Sequence, residues 1–471
     1  MISHGDLEMP SVTICSLFPF TATSLFNASL KISKESRFHK YVSLRNQLGY
    51  IAKKVDREDV YLDFRNRLNS YASVFENSDE EMEKYTHDLD SLLARCSWRE
   101  KPCDTSFFIT SVNGNYQKCF TFNGHGLNLS NMIVEEANPI NGLSMVIFLD
   151  AFKFNQQVLP NEMVYNPENP NSGTTGLHVT IHPPQSLPFP IVEGFDVPPG
   201  YSTTIGLTTH ARKRLAEPYG SCTNREFLDG TNLGYSHLGC LEQCQQKEIM
   251  HQCGCVSAFL LMPNDAKDLQ LCGRLNLDNL MLQDPNVTII DKDFAKLKCE
   301  KHLLKMKLHP ETNKRCKCKH PCYEIRYEQT ISNAYWPFEY IQQQFLENMF
   351  GSSDTKSKRS HVLFDEILGN VSDAREAVIE SGVIRKNFLR LNIYFKDLTI
   401  ETTEQTKEYT GDALMSDIGG TLGFYIGMSI ITMCEALNLT WKLILALWRK
   451  CRSSEKTVEP PSRARDTDVK E

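Results

Sequence analysis

The sequence predicts an α+β membrane protein in which a large disulfide-rich extracellular domain of mixed strands and helices is followed by one C-terminal transmembrane helix. Three observations carry this. Ile418 to Cys434 is a run of 17 uncharged residues near the end of a 471-residue chain, at the lower edge of what crosses about 30 Å of hydrocarbon. Fourteen of the sixteen cysteines precede that run, an even set on one side, as in an oxidised ectodomain. Before it, β-branched and aromatic runs interleave with segments of helical spacing.

The span continues past Glu435 through Ala436 to Trp441 and Leu443 to Trp448. Trp448 followed by Arg449, Lys450 and Arg452 is an interfacial aromatic with a positive flank, which distinguishes it from a buried core helix. The same charges put the tail from Arg449 to Glu471 in the cytoplasm and everything before about Met415 outside. A plain anchor needs only apolar bulk. Asp417 to Glu435 instead holds four glycines, a Ser, two Thr and a Glu, as expected of a helix that touches other helices or water. It reads as a pore.

The outer cysteines are Cys15, Cys96, Cys103, Cys119, Cys222, Cys240, Cys244, Cys253, Cys255, Cys272, Cys299, Cys316, Cys318 and Cys322, ten of them between Cys222 and Cys322. Cys316-Lys-Cys-Lys-His-Pro-Cys322 offers zinc ligands, but the two-residue gap usual between paired ligands is missing and extracellular thiols oxidise, so disulfides are expected and no metal. Sequons at Asn27, Asn128, Asn286 and Asn370 lie on the outer side as glycan acceptors. With 58 acidic and 51 basic residues the net charge is -7, which gives no reason to expect nucleic acid as a partner. No His-Glu-x-x-His, Gly-x-Ser-x-Gly or phosphate-cradling loop occurs, so neither an enzyme nor a cofactor is expected.

The elements follow in order. Residues 11–20 open with a β-branched run and predict a strand, and Phe38 to about Ser97 has helical spacing. From Asn115 to Thr209 the texture is β, with Lys118–Phe122, Leu143–Phe148 and Leu177–His182 as strands. Gly239 to His251 predicts a helix whose thiols Cys240 and Cys244 share a face. Pro337 to Glu380 is again helical, with a polar interruption at 351–360. Phe388 to Leu398 alternates as a strand leading toward the membrane.

The ordered set Pro10-Ser-Val-Thr-Ile-Cys15, Lys118-Cys-Phe-Thr-Phe-Asn123, Tyr219-Gly-Ser-Cys222, Cys240-Leu-Glu-Gln-Cys244, Cys253-Gly-Cys255, Cys316–Cys322, Glu401-Thr-Thr-Glu-Gln405 and Asp417 through Gly427-Met-Ser429 to Glu435 resembles the epithelial sodium channel, degenerin and acid-sensing ion channel family. The resemblance covers nearly the whole chain. It implies a homo- or heterotrimer in the lipid bilayer of the plasma membrane, conducting sodium and blocked by amiloride, with an ectodomain likened to a hand. Residues 1–30 would hold the wrist and first palm strand, 31–114 the helical finger, 115–215 palm and β-ball strands and 216–335 the cysteine-rich thumb. Knuckle helices would follow at 336–385, a palm strand and link to the pore at 386–414, the pore helix at 415–448 and a cytoplasmic tail at 449–471. The implied disulfides are Cys15–Cys119, Cys96–Cys103, Cys222–Cys322, Cys240–Cys318, Cys244–Cys316, Cys253–Cys299 and Cys255–Cys272.

Matching positions carry implied roles. Gly427, Met428 and Ser429 stand at the selectivity filter, where small residues let backbones approach and present carbonyls to a cation, with Met428 projecting away. The alternative is a small-x-small helix contact. Glu435 would form a ring of carboxylates, or else be a lone protonated carboxyl. Ser416 matches the degenerin position beside Asp417, Gly419 and Gly420, although an ordinary helix N-cap serine reads the same way. Leu398 and Thr399 match the gating linker, Glu401 and Gln405 the link between palm and pore. Tyr219 occupies the wrist contact, where acid-sensing members have Trp.

Two departures bear on gating. Where acid-sensing members place paired Asp residues on a thumb helix, this chain has the basic stretch Glu300 to His309, and Cys272 to Cys299 is much longer. A ligand other than the proton is therefore expected, such as a neuropeptide, with mechanical or constitutive activity as alternatives. The family's first membrane helix and cytoplasmic His-Gly motif do not precede Pro10, and residues 1–20 lack a signal peptide's basic start and apolar core, so a fragment of a longer chain or a non-conducting isoform is expected. A disulfide-rich single-pass receptor or adhesion ectodomain is the rival reading.

Overall fold

The computed structural model describes residues 2–18, 20–23, 50–59, 86–124, 126–127, 132–152, 174–263, 266, 269–276, 279, 282–305, 315–342, 344–345, 348, 380–427 and 429–454. The chain divides into two units, Met1–Gln405 and Thr406–Glu471.

The first unit is built on two sheets. The strands are β1 (Ile2–His4), β2 (Leu7–Glu8), β3 (Ser11–Ser16), β4 (Leu93–Trp98), β5 (Lys101–Pro102), β6 (Phe108–Asn113), β7 (Gln117–Phe122), β8 (Ile133–Val134), β9 (Leu143–Phe148), β10 (Leu177–His182), β11 (Phe195–Val197), β12 (Tyr201–Lys213), β13 (Tyr323–Tyr335) and β14 (Phe388–Glu404). The larger sheet runs β13-β12-β14-β9-β4-β5 with β1 added to β14, the smaller β11-β10-β3-β7-β6, and β2 pairs β8. β12 runs antiparallel to β13 over its whole length and parallel to β14.

One core joins the sheets. Leu389, Leu391, Ile393 and Phe395 alternate along β14 into the same buried cluster as Val12, Ile14, Phe120, Phe122, Leu177 and Val179 of the smaller sheet. The period of two sends Phe388 to the opposite face, where it packs with Val146, Phe148, Val383 and Ile384. β9 is thus covered on both sides, which is why Leu-Ser-Met-Val-Ile-Phe is a nearly unbroken apolar run. β3 is buried at every position because it lies inside the smaller sheet between β10 and β7. Cys15 stands opposite Cys119 on β7 and is bonded to it.

Helices α1 (His237–Cys253) and α2 (Val287–Lys305) are inserted between β12 and β13, whose ends Lys213 and Tyr323 still pair. Ser236 caps α1 by accepting from Gly239 N, and Gly254 ends it at φ 63°. One buried apolar cluster here joins Ile249, Cys255, Leu260, Cys272 and Leu303, and Ile290, Phe294 and Leu297 of α2 are buried as well. Cross-links add to this packing. Cys222–Cys322 closes the base of the insertion, Cys240–Cys318 and Cys244–Cys316 tie α1 to the returning chain, Cys253–Cys299 ties α1 to α2, and Cys255–Cys272 closes a loop. With Cys15–Cys119 and Cys96–Cys103 these make seven bonds.

Several sequence expectations are revised. The helical stretch ending at Ser97 closes instead with one helical turn, Leu89–Leu92, and then β4, because pairing with β9 outweighs the local spacing. Residues 38–49 and 60–85 of that stretch lie outside the described residues. β13 falls within 216–335, the span expected for the cysteine-rich thumb; it is an exposed edge strand whose Glu324, Arg326 and Glu328 suit a strand that must not recruit another. In the region from Pro337 to Glu380, expected to be helical, a 3₁₀ turn at Glu339–Ile341 is followed by helical residues at 342, 344–345, 348 and 380, while 343, 346–347 and 349–379 lie outside the described residues.

The second unit holds α3 (Gly411–Ile426) and α4 (Ile430–Ser454), not the single continuous helix expected over 415–448. Ile430–Lys450 is long and apolar enough to cross a membrane, and its side chains are almost all exposed, unlike those of a core helix.

Candidate functional site

The break between α3 and α4 is built by three kinds of residue. α3 begins at Thr410, whose Oγ1 accepts from Ala413 N at 3.2 Å. Ser416 is therefore not the N-cap; it sits inside α3, exposed. The Tyr409 hydroxyl donates to the Asp417 carboxylate, and this bond raises the phenol above its usual range. A side chain on Gly419 or Gly420 would meet nothing within 4 Å. Each glycine costs a helix about 1 kcal/mol relative to Ala, and no contact with a described residue requires either.

α3 ends at Gly427, which adopts φ 65° and donates its N–H to Leu422 O. This left-handed conformation favours glycine. Two residues on, Ser429 starts α4: its Oγ accepts from Thr432 N at 3.3 Å, its N–H reaches Thr432 Oγ1 at 3.4 Å, and Met433 N donates to Ser429 O at 3.1 Å. This is a reciprocal cap with Thr in place of Glu three residues in. The interruption leaves the last carbonyls of α3 without helical partners at the negative end of its dipole. Met428 lies outside the described residues. Glu435 is exposed on α4, in its second turn.

A second feature lies on β14. Against β12 its register jumps from Leu207↔Phe395 to Thr209↔Ile400. Lys396 to Thr399 therefore oppose the single residue Thr208, a large bulge that includes Leu398 and Thr399. Short β1 pairs here, with His4 opposite Thr399 and Ile2 opposite Glu401. Leu398 packs on the main core and Thr399 N donates to Asp397 Oδ1 at 2.9 Å. Glu401 lies 3.4 Å from His210 Nδ1, and His210 Nε2 lies 3.0 Å from Glu328, so one imidazole links β12, β13 and β14.

Beyond β14, Gln405 N donates to Lys213 O at 3.0 Å and its Oε1 accepts from Leu215 N at 3.1 Å. Tyr219 follows in a turn, 61% exposed, its N–H on Ala216 O. The structure brings Glu401 and Gln405 to the same end of the sheet; Thr410, Thr432, His210 and Arg214 were not singled out from the sequence. A Ser-x-x-Thr spacing was the readable sign of Thr432. His210 and Arg214 had none.

On α2, Glu300 is buried and accepts from Ser257 Oγ at 2.5 Å, so the start of the stretch Glu300–His309 is an internal contact, and 306–310 lie outside the described residues. Asn286 is exposed before α2 and accepts from Thr288 N at 3.0 Å. Asn27, Asn128 and Asn370 lie outside the described residues.

Residues 2–439 match the family described as amiloride-sensitive sodium channel. Among similar curated proteins, the FMRFamide-activated amiloride-sensitive sodium channel of Cornu aspersum is 31% identical over 93% of this chain and 72% of its own length. Acid-sensing ion channel 2 of Danio rerio is 25% identical over 94% of this chain and 71% of its length. Degenerin deg-1 of Caenorhabditis elegans is 25% identical over 83% of this chain, a match that takes in only 43% of that longer protein. The match to the family runs from β1 through the helix break into α4, and the chain belongs to the amiloride-sensitive sodium channel family, a family of ion channels.

Proposed function

We propose that the chain is a subunit of a trimeric, sodium-preferring, amiloride-sensitive cation channel of the plasma membrane, gated through its extracellular domain by a ligand such as a neuropeptide. One observation carries this reading: inside the family-matched span, one helix stops at Gly427 and the next begins at Ser429. Three copies would bring carbonyl ends and small side chains to a common axis, where they replace part of a cation's hydration. Glu435, further along, would add a ring of negative charge, and Ser416 with Asp417, Gly419 and Gly420 would line the approach.

In this reading the larger sheet is the palm, the smaller the β-ball, and the insertion carrying α1 and α2 the thumb. The disulfide ladder stiffens the thumb so that displacement reaches its base without bending. The bulge at Leu398 and Thr399 then acts as the linker that yields, while Glu401, Gln405 and Tyr219 hold the wrist. The similarity to an FMRFamide-activated channel favours a peptide as the stimulus. The ectodomain is extracellular, with Asn27, Asn128, Asn286 and Asn370 as glycan acceptors and the tail after Arg449 cytoplasmic.

Voltage-clamp recording of the chain, alone and co-expressed with the Cornu aspersum channel, tests the reading, with peptides, protons and amiloride applied in turn. The expected result is an inward sodium current, gated by one stimulus and blocked by amiloride, whose reversal potential shifts in Ser429→Ala. Anion current would overturn the cation-channel reading, and unaltered selectivity with Leu at Gly427, Ser429 and Glu435 would overturn the pore assignment.

A further inference from the structure

On the face of the larger sheet that points away from the shared core lies a cavity of about 520 Å³. Its floor is Val146 of β9. Arg95 on β4 and Arg390 on β14 both stand directly opposite Val146 in register. Cross-strand partners share a face, so both guanidinium groups rise on the cavity side, from backbones about 10 Å apart. Trp336 and Phe345 form a wall, their rings edge to face at 5.0 Å, and Phe345 in turn rests on Phe388 at 5.2 Å.

The charges in this cavity are unbalanced. Among the described residues neither Arg95 nor Arg390 has an ion pair or hydrogen-bond partner, although most arginines near the sheet ends do, as Arg214 and Arg326 do with Glu324. Among the described residues of the lining, Glu100 is the one carboxylate. Two unneutralised guanidinium groups repel each other across an apolar floor, and a bound anion relieves that repulsion while using their fixed fork of donors. The volume is in the range of small-molecule sites and far exceeds what a halide fills. The aromatic wall calls for an apolar body attached to the charge.

We propose that this cavity binds an amphipathic organic anion, whose carboxylate is held between Arg95 and Arg390 and whose ring or alicyclic body packs on Trp336 and Phe345. Cations are disfavoured there by charge. The site lies within the first unit and does not depend on the chain conducting ions.

The test uses the full chain in neutral-lipid nanodiscs and calorimetric titration with naphthalene-1-acetate and its neutral amide. The acid is expected to bind and the amide to bind at least about tenfold more weakly. Arg95→Gln and Arg390→Gln should each reduce affinity for the acid by about tenfold, and Trp336→Ala should weaken acid and amide alike. Because both arginines are exposed, the variants should keep the unfolding temperature and all seven disulfides, which thiol titration checks. Equal binding of acid and amide, or full affinity in the double arginine variant, overturns the proposal. So does a silent titration in which Arg95→Glu changes the oligomeric state, since an acidic side chain of a second copy would then occupy the cavity.

Discussion

Arg214, one residue past the end of β12, places its Nη2 2.5 Å from the carboxylate of Glu324, the second residue of β13. Arg214 also donates to Pro321 O at 2.9 Å, and Arg326 to Glu324 at 2.8 Å. The backbone of Gln405 bonds Lys213 beside it. The base of the cysteine-rich insertion and the end of β14 therefore share one fixing point, so that movement of either strains the other.

Arg214→Ala should lower stability by about 2 kcal/mol, since it leaves a mostly buried carboxylate short of a charged donor. Burial pushes Glu324 up, but the hydrogen bonds from Arg214 and Arg326 outweigh it and hold the carboxyl below its ordinary 4.5. A depressed acid contributes stability above its unfolded pKa and loses it as pH falls through the folded one. The gap in melting temperature between wild type and Arg214→Ala should be full at pH 7 and close as pH drops below about 4.5. A constant gap down to pH 3 would mean that packing of the Arg214 stem, and not the charge pair, carries the effect.

His182 sets a second pH dependence at the smaller sheet. Its Nε2 lies 2.9 Å from Thr13 Oγ1 and its Nδ1 3.0 Å from Ser186 Oγ, and loss of water pushes the imidazole down to about 4 despite the bond to Pro183, which acts in the opposite direction. The folded chain holds a neutral ring that the unfolded chain protonates near 6.5, so stability is full above 6.5 and is lost as pH falls toward 4. The loss is about 3 kcal/mol. In His182→Gln the slope of melting temperature against pH between 6.5 and 4 should flatten; an unchanged slope would assign it to other groups.

What was legible in the sequence depended on burial. β3, β7, β9 and β10 are covered on one or both faces, so selection for burial wrote apolar runs that are read directly. β4 and β13 were obscured for opposite reasons. Leu93-Ala-Arg-Cys-Ser-Trp continues a helix-like spacing and becomes a strand only because β9 is beside it. β13 is mostly exposed, and Tyr327 is its residue against the main core, too little for an apolar alternation to be read. The helix break was hidden because hydropathy is blind to backbone angle: Gly427 counts as one more uncharged residue although its φ of 65° ends α3. Disulfide pairing is not deducible from spacing alone; the seven observed bonds follow the order that the family resemblance implies.

The disulfides of the insertion should matter locally. Cys253 and Cys299, 46 residues apart, join α1 to α2 over the small cluster around Ile249 and Leu303. Replacing both by Ser should cost about 2–4 kcal/mol. Hydrogen exchange should accelerate in 237–253 and 287–305 while β3 and β10, inside the two-sheet core, keep their protection. Equal acceleration in β3 would show that the insertion and the sheets unfold as one unit.

Gly427 separates backbone shape from side-chain volume. Its added Cβ would meet nothing within 4 Å among the described residues, so among them it is the left-handed φ that resists substitution. Asn tolerates that conformation far better than a β-branched residue, for which the penalty is about 1–2 kcal/mol. Gly427→Asn should therefore preserve surface expression, and Gly427→Val should reduce it by destabilising the turn between α3 and α4. If the turn also faces a cation path, Gly427→Asn should shift the sodium-to-potassium reversal potential despite its normal expression. Measuring both quantities on the same cells divides the two demands: a selectivity change without loss of expression belongs to volume in the path, and loss of expression in the Val variant alone belongs to the backbone. Equal expression of the two variants would show that the turn at Gly427 is not needed for assembly.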